Sequence, residues 1–173
     1  MKKMQTNIQN VYIDTCFFQS YLWKERDEKE SAKDVLSQIK SSVNKNSDIN
    51  VKIPFIVVGE LINNLIREIP SQERRADIMY AFFEELEDLK ADTIPPNKCC
   101  YAKAKSLIVQ DDYFAEHALT DPFIVSCALC DPDSSHLLTT DRRLLESVLL
   151  KKIEKNMQAD NERNRQLKIT EEF

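Results

Sequence analysis

Glycine is nearly absent from this chain: its 173 residues contain one, Gly59. Glycine-rich phosphate-binding loops need several glycines at fixed spacing, so a Walker loop and a dinucleotide-binding fingerprint are both excluded. The scarcity also argues against a β-sandwich, whose many tight turns favour glycine. The scarcity of glycine therefore points to a fold and a function that need no glycine-rich loop.

Long apolar runs are also missing. No segment has the roughly 18 consecutive apolar residues of a transmembrane helix, so no contact with a membrane is predicted. Residues 1–10 are polar, and no apolar signal core follows them before Asp14. We therefore expect a cytoplasmic protein, and in that compartment the five cysteines are expected to be free thiols (Cys16, Cys99, Cys100, Cys127 and Cys130).

The composition is that of a folded chain. Hydrophobic residues make up 42% and charged residues 31%, which excludes a disordered protein. A chain of 173 residues fits one domain and needs no metal or disulfide to fold. We predict a single domain over residues 1–173, with its core over about 10–170.

Charge is distributed unevenly along the chain. The net charge is −5, which by itself disfavours binding to nucleic acid. Residues 111–141, however, contain seven acids and no lysine or arginine, and residues 142–168 contain eight bases against four acids. A metal-dependent enzyme acting on a polyanion could use an acidic cluster beside a basic stretch. Ordinary solvated helix faces would produce the same pattern.

Short β-prone runs alternate with segments of helical periodicity. Strands are predicted at 11–13, 51–55 and 136–140, with brief candidates at 93–94 and 167–170. Helices are predicted at 16–23, 31–43, 56–68, 78–89, 101–109, 121–130 and 142–155. The helix at 56–68 is apolar on nearly every side and is expected to be largely buried. The pattern predicts a helix-rich α/β domain with a mostly parallel sheet covered on both faces.

Four acids occupy positions that such a fold could bring together. Asp14 and Asp141 directly follow predicted strands, and the functional crevice of a parallel sheet lies at the carboxyl ends of its strands. Glu60 lies one turn into the helix after the second strand. Asp121 is predicted as a helix N-cap, with Pro122 at the first helical position. Each acid alone also fits a plain turn or cap, although Glu60 in an apolar helix is harder to explain structurally.

Four carboxylates in one crevice would repel one another and raise their own pKa values. Hard divalent cations with oxygen ligands, Mg²⁺ or Mn²⁺ most naturally, relieve that repulsion. The chemistry that such a site supports is phosphodiester hydrolysis by activated water. The basic stretch that follows is then a candidate RNA-binding surface, formed by Arg142, Arg143, Lys151, Lys152 and Lys155.

The residues around these acids resemble the four motifs of PIN-domain nucleases, in the right order. The matching segments are Val11-Tyr12-Ile13-Asp14-Thr15, Val58-Gly59-Glu60-Leu61, Leu119-Thr120-Asp121-Pro122-Phe123-Ile124 and Leu138-Thr139-Thr140-Asp141-Arg142-Arg143-Leu144-Leu145. The resemblance implies a PIN-like three-layer α/β/α fold and RNA cleavage that depends on Mg²⁺ or Mn²⁺. It further implies that Asp14, Glu60, Asp121 and Asp141 bind the metal and that Thr140 supports the last acid.

The best-populated branch of that family contains the toxin ribonucleases of toxin–antitoxin modules. An antitoxin-like protein and a second copy of the chain are therefore candidate partners. Two features depart from the family's pattern. Cys16 stands where the family often has serine or asparagine, and its thiol forms weaker hydrogen bonds. The segment between Glu60 and Asp121 is also long for the compact toxins.

Other functions remain open at the level of the sequence. A PIN-like protein with a weak site could serve as an RNA- or protein-binding scaffold. Asp14 could serve a phosphatase, although the second aspartate of the haloacid-dehalogenase pattern is missing. Cys127 and Cys130 have CxxC spacing, but a zinc site would need a second properly spaced pair. The two histidines, His117 and His136, do not suggest a nucleophilic triad.

Overall fold

The centre of the molecule is a five-stranded parallel sheet. The computed structural model describes residues 8–23, 26–45, 48–116, 118–159 and 165–173; His117 lies outside them. Within these residues the strands are β1 (Gln9–Ile13), β2 (Ile49–Pro54), β3 (Asp92–Ile94), β4 (Ser134–Leu138) and β5 (Lys168–Thr170). All neighbouring pairs are parallel. The predicted fold class, a helix-rich α/β domain with a central parallel sheet, is confirmed.

The order of the strands creates a switch point beside β1. The sheet runs β3-β2-β1-β4-β5, so the chain builds outward from β1 in one direction and then returns to its other side with β4. Ile13 at the end of β1 is paired with Leu138 at the end of β4. Ligand sites of open parallel sheets form at the carboxyl ends of strands where the order reverses. The residues that directly follow Ile13 and Leu138 therefore occupy the favoured position for a site.

Helices connect the strands. Within the described residues they are α1 (Thr15–Leu22), α2 (Arg26–Lys45), α3 (Phe55–Glu68), α4 (Gln72–Asp88), α5 (Lys98–Gln110), α6 (Asp112–Glu116), α7 (Asp121–Leu129), α8 (Arg142–Glu146) and α9 (Val148–Ala159). None of these helices is long and apolar enough to cross a membrane.

The single helix predicted at 142–155 is wrong, because the structure has two helices there. Ser147 leaves the helical conformation, with φ −59° and ψ 114°. Its hydroxyl then accepts a hydrogen bond from the backbone N–H of Leu150 at 3.2 Å, which caps the next helix. A serine hydroxyl therefore starts a new helix where the apolar periodicity alone suggested a continuous one.

Burial of the strands shows that both faces of the sheet are covered. Val11, Tyr12 and Ile13 are consecutive and at most 3% exposed. Consecutive strand residues point to opposite faces, so a run of buried residues requires packing on both sides. The main core also contains Phe18 of α1 and Phe82 of α4, whose rings meet edge to face at 5.0 Å. This core holds the carboxyl ends of the strands in place.

The expectation that α3 is largely buried is wrong. Its inner side is buried as predicted, with Val57, Leu61 and Leu65 at most 2% exposed. Its outer side carries Ile62 and Ile66, which are 41% and 61% exposed. The apolar periodicity showed that both sides are hydrophobic, but it could not show that only one side meets the core.

The expectation of five free thiols is also wrong. Cys99 and Cys130 form a disulfide that joins the first turn of α5 to the end of α7. Cys16, Cys100 and Cys127 are free, and the last two are buried. The pairing places Cys130 in a bond to α5, so Cys127 and Cys130 do not act together as a CxxC metal chelate.

Candidate active site

A cavity of about 290 Å³ lies beyond the carboxyl ends of β1 and β4. All four predicted acids line it: Asp14, Glu60, Asp121 and Asp141. They come from the start of α1, the first turns of α3, the start of α7 and the start of α8. The structure therefore brings together side chains from four separate segments of the chain.

Asp14 is the most deeply placed acid and is only 3% exposed. One carboxylate oxygen, Oδ1, accepts the backbone N–H of Thr15 at 2.6 Å and so caps α1. The other, Oδ2, accepts the Thr139 hydroxyl at 2.7 Å and the Cys16 thiol at 3.0 Å. Burial raises the pKa of Asp14, the Cys16 and Thr139 bonds partly lower it, and Glu60 raises it.

Thr139 does not line the cavity but supports it through a hydrogen bond to Asp14 that the sequence did not predict. It is fully buried, and its hydroxyl accepts the backbone N–H of Asp141 at 3.0 Å while it donates to Asp14. Thr140, the supporting residue expected from the resemblance, does not line the cavity, and its hydroxyl lies 3.3 Å from that of Ser20. Because β4 ends at Leu138, it is Thr139 that lies beside Asp14. The strand end predicted at residue 140 concealed this.

Cys16 takes the place of the expected hydroxyl or amide and still contacts the site. Its thiol donates to Asp14, and its sulfur accepts the backbone N–H of Thr140 at 3.2 Å. Burial, followed by the neighbouring Asp14 carboxylate, raises the pKa of Cys16 well above its ordinary value. The side chain is therefore a neutral thiol that acts as a hydrogen-bond donor.

Glu60 is held by two hydroxyl groups. Thr15 Oγ1 donates to Oε2 of Glu60 at 2.7 Å, and Thr120 Oγ1 donates to Oε1 at 2.8 Å. These contacts join the second turn of α3 to the starts of α1 and α7. The sequence does not predict either contact, because Glu60 is 45 positions from Thr15 and 60 positions from Thr120.

Asp121 is the first residue of α7 and not its N-cap, which corrects the sequence prediction. The cap position belongs to Thr120, so Pro122 is the second helical residue and not the first. The pKa of Asp121 is raised to about 8, first by burial and then by the charges of Asp14, Glu60 and Asp141. This mutual repulsion is the effect that the sequence predicted for a crevice of four acids.

Asp141 caps α8 and also lines the cavity. Its Oδ1 accepts the backbone N–H of Arg143 at 2.8 Å, and its Oδ2 lies 3.5 Å from the hydroxyl of Tyr113. The guanidinium carbon of Arg143 lies 4.5 Å from the centre of the Tyr113 ring, a cation–π contact. Tyr113 also lines the cavity, so it connects this arginine to the acids.

The predicted RNA-binding residues divide into two groups. Arg142 and Arg143 are exposed on α8, directly after Asp141. Lys151 and Lys155 lie on α9 and line a different cavity of about 560 Å³, which runs along β5. Lys152 is exposed on the same helix. Arg143 is thus the base that the structure links to the acidic cavity, and the RNA-binding role of all five remains a prediction.

The cavity suits a hard divalent cation by its donor types. Its described lining contains four carboxylates, the amides of Gln19 and Asn64 and no lysine or arginine. Within the described residues, however, no three His, Cys, Asp or Glu side chains stand close enough together to hold a metal ion. The hydrogen bonds described above orient the carboxylates instead. The donor set fits Mg²⁺ or Mn²⁺, and binding would require the side chains to move closer.

No protein-family model matches this chain. No curated protein matches it either. Among solved structures, the crystal structure of VapBC2 from Rickettsia felis bound to a DNA fragment from their promoter is similar, with a TM-score of 0.58 at 15% sequence identity. The match covers 93% of this chain and 98% of the other. At this identity the likeness shows the fold alone.

Proposed function

We propose that this chain is a PIN-type ribonuclease that uses a divalent metal ion, held by Asp14, Glu60, Asp121 and Asp141, to hydrolyse RNA. One observation carries the proposal. Four acids from separate segments line one cavity at the switch point of a parallel sheet. The acids reach the same cavity only through the fold, and the described lining contains no basic side chain to neutralise them.

The side chains that line or adjoin the cavity would have different roles in such a site. Asp14 is fixed by three donors and offers a carboxylate of fixed orientation at the deepest point. Asp121, whose pKa is raised to about 8, holds a proton near neutral pH and would release it when a cation neutralises the neighbouring charges. When bound, Mg²⁺ or Mn²⁺ would supply a polarised water for attack on phosphorus. Arg143 lies beside the cavity, where it could contact a phosphate.

We assign the chain a protein partner as well, as the nuclease component of a toxin–antitoxin module. The support is the fold it shares with VapBC2, together with the motif resemblance described above. Exposed apolar side chains on the outer side of α3, the helix that carries Glu60, are compatible with a protein contact near the site.

A second candidate is a catalytically weak PIN-like scaffold that binds RNA or protein. The observation that favours it is the absence, in the described part of the chain, of three acids already placed for a metal ion. Hydrogen bonds within the protein already orient the carboxylates of Asp14 and Glu60 without any cation.

The test is cleavage of a labelled single-stranded RNA with Mn²⁺, with Mg²⁺ and with EDTA. We expect cleavage that EDTA abolishes. Asp14→Asn should reduce the rate by at least about 100-fold, because a catalytic metal contributes several kcal/mol and about 1.4 kcal/mol corresponds to tenfold. Asp34→Asn, at an exposed acid on α2, is the matched control and should cut at the parent rate.

The other outcomes separate the alternatives. RNA binding without cleavage by the parent would contradict the nuclease proposal and support the scaffold. Release of phosphate from a small phosphoester, with RNA left intact, would support the hypothesis that Asp14 serves a phosphatase. A folded Asp14→Asn variant that cuts at the parent rate would remove this cavity as the active site.

A further inference from the structure

The contact between Thr120 and Glu60 bears on how the acid site is assembled. We propose that Thr120 is a positioning residue for metal binding, because its hydroxyl orients the Glu60 carboxylate and links it to the start of α7, which carries Asp121. The inference rests on the proposed function in one respect, namely that Glu60 and Asp121 are metal ligands. It concerns a residue for which neither the sequence nor the comparisons suggested a role.

The hydrogen bonds leave Glu60 free to bind a cation. Thr120 Oγ1 donates to Oε1 at 2.8 Å and Thr15 Oγ1 donates to Oε2 at 2.7 Å, so each carboxylate oxygen receives one hydroxyl. A carboxylate offers about four lone-pair sites. Two of them therefore remain, and the hydroxyls fix the plane in which they lie.

The local backbone shows that Thr120 is not needed as a helix cap. A threonine at this position normally accepts a backbone N–H of the first turn with its side-chain oxygen. Here the side chain makes no capping bond. The backbone carbonyl of Thr120 instead accepts the N–H groups of Phe123 and Ile124, at 3.0 and 3.2 Å, and Pro122 has no N–H to satisfy. The hydroxyl is directed across the cavity to Glu60.

Adjacency in the chain extends this effect to Asp121. Thr120 and Asp121 are consecutive and both line the cavity. The hydrogen bond from Thr120 to Glu60 therefore connects the Glu60 carboxylate to the start of α7, where Asp121 is the first helical residue. Hydrogen bonds to ligating carboxylates matter for binding, and their loss typically costs about 10- to 100-fold in metal affinity.

Binding of Mn²⁺ alone tests the inference, because free Mn²⁺ can be quantified by electron paramagnetic resonance without RNA. We expect Thr120→Val, which keeps the shape and removes the hydroxyl, to weaken Mn²⁺ binding by about 10- to 100-fold. Thr120→Ser keeps the hydroxyl and should restore the parent affinity to within a few-fold. The matched control is Thr93→Val, at an exposed threonine on β3, which should bind like the parent.

Circular dichroism melting would show that each variant is folded, and Thr120→Ala would replace Thr120→Val if the valine variant did not fold. Parent-like Mn²⁺ affinity in Thr120→Val would overturn the inference while leaving the nuclease proposal intact. Equal loss in Thr120→Val and Thr120→Ser would also overturn it, because the hydroxyl would then not be the determining group. A parent that bound no Mn²⁺ would overturn this inference and the proposed function together.

Discussion

Replacing Asp121 by asparagine should flatten the pH dependence of the stability of the metal-free protein. The pKa of Asp121 is raised from 3.8 to about 8 in the folded chain, by burial and by three neighbouring carboxylates. In the unfolded chain the same carboxyl is exposed and titrates near its ordinary value. The folded state therefore holds a proton that the unfolded state has released over the range between those two values.

The sign and size of the effect follow from proton linkage. Stability falls as pH rises wherever the folded state binds more protons than the unfolded state. One extra proton corresponds to a decrease in the free energy of unfolding of up to about 1.4 kcal/mol per pH unit between roughly pH 5 and 7. The decrease ends as pH passes through the folded pKa of about 8. Asp14, whose pKa is also raised, contributes in the same direction.

Urea unfolding of EDTA-treated protein at about pH 5, 6, 7 and 8 measures this directly. We expect the free energy of unfolding of the parent to fall over that range. For Asp121→Asn the fall should be smaller by up to about 1.4 kcal/mol per pH unit, the contribution of one proton. Asp34→Asn, at the exposed acid on α2, should follow the parent. Parallel curves for the parent and Asp121→Asn would refute the reasoning, because Asp121 would then titrate alike in both states.

Three further predictions concern the disulfide, the basic residues and the single glycine. The Cys99–Cys130 disulfide links residues 31 positions apart, so its reduction should lower the free energy of unfolding by about 3.5 kcal/mol, measured by urea titration with and without a phosphine reductant. Unchanged unfolding curves, or five free thiols by mass spectrometry of non-reduced protein, would contradict the pairing. Arg143→Ala should weaken RNA binding, measured by fluorescence anisotropy, more than Lys151→Ala does, because Arg143 stacks on the cavity-lining Tyr113 and Lys151 lines a separate cavity. Equal losses of affinity would contradict this prediction, because the two basic groups would then contribute alike. Gly59→Ala should stabilise the chain by about 0.5–1 kcal/mol in thermal melts, because alanine favours a helix and its Cβ would meet nothing within 4 Å. A lower melting temperature would show that the glycine is needed.

The sequence predicted the site best where position along a strand was enough. Asp14 and Asp141 directly follow apolar runs, and general rules place the carboxyl ends of parallel strands at one edge. That prediction did not need the order of the strands. The structure adds that β1 and β4 are neighbours, so these two acids lie at the switch point and not merely at the same edge.

Contacts between distant segments could not be predicted in the same way. Thr139 contacts Asp14 because of the register between β1 and β4, which places Leu138 opposite Ile13. Thr120 reaches Glu60 only because α7 packs near α3. The pairing of Cys99 with Cys130 likewise depends on how α5 lies against α7. In each case the local pattern specifies the element, and the tertiary packing selects the partner.

The structure also changes how the acids themselves should be understood. From the sequence, a local role in a turn or helix cap and a role in a site were competing explanations of Asp14 and Asp141. Both acids in fact do the first with one oxygen, since Oδ1 of Asp14 accepts from Thr15 and Oδ1 of Asp141 accepts from Arg143. A carboxylate has a second oxygen, and anchoring the first at a helix N-terminus orients the second. Capping is therefore part of how these two acids are aimed, and asparagine at Asp14 can keep the cap through its amide oxygen while removing the charge that a cation would need.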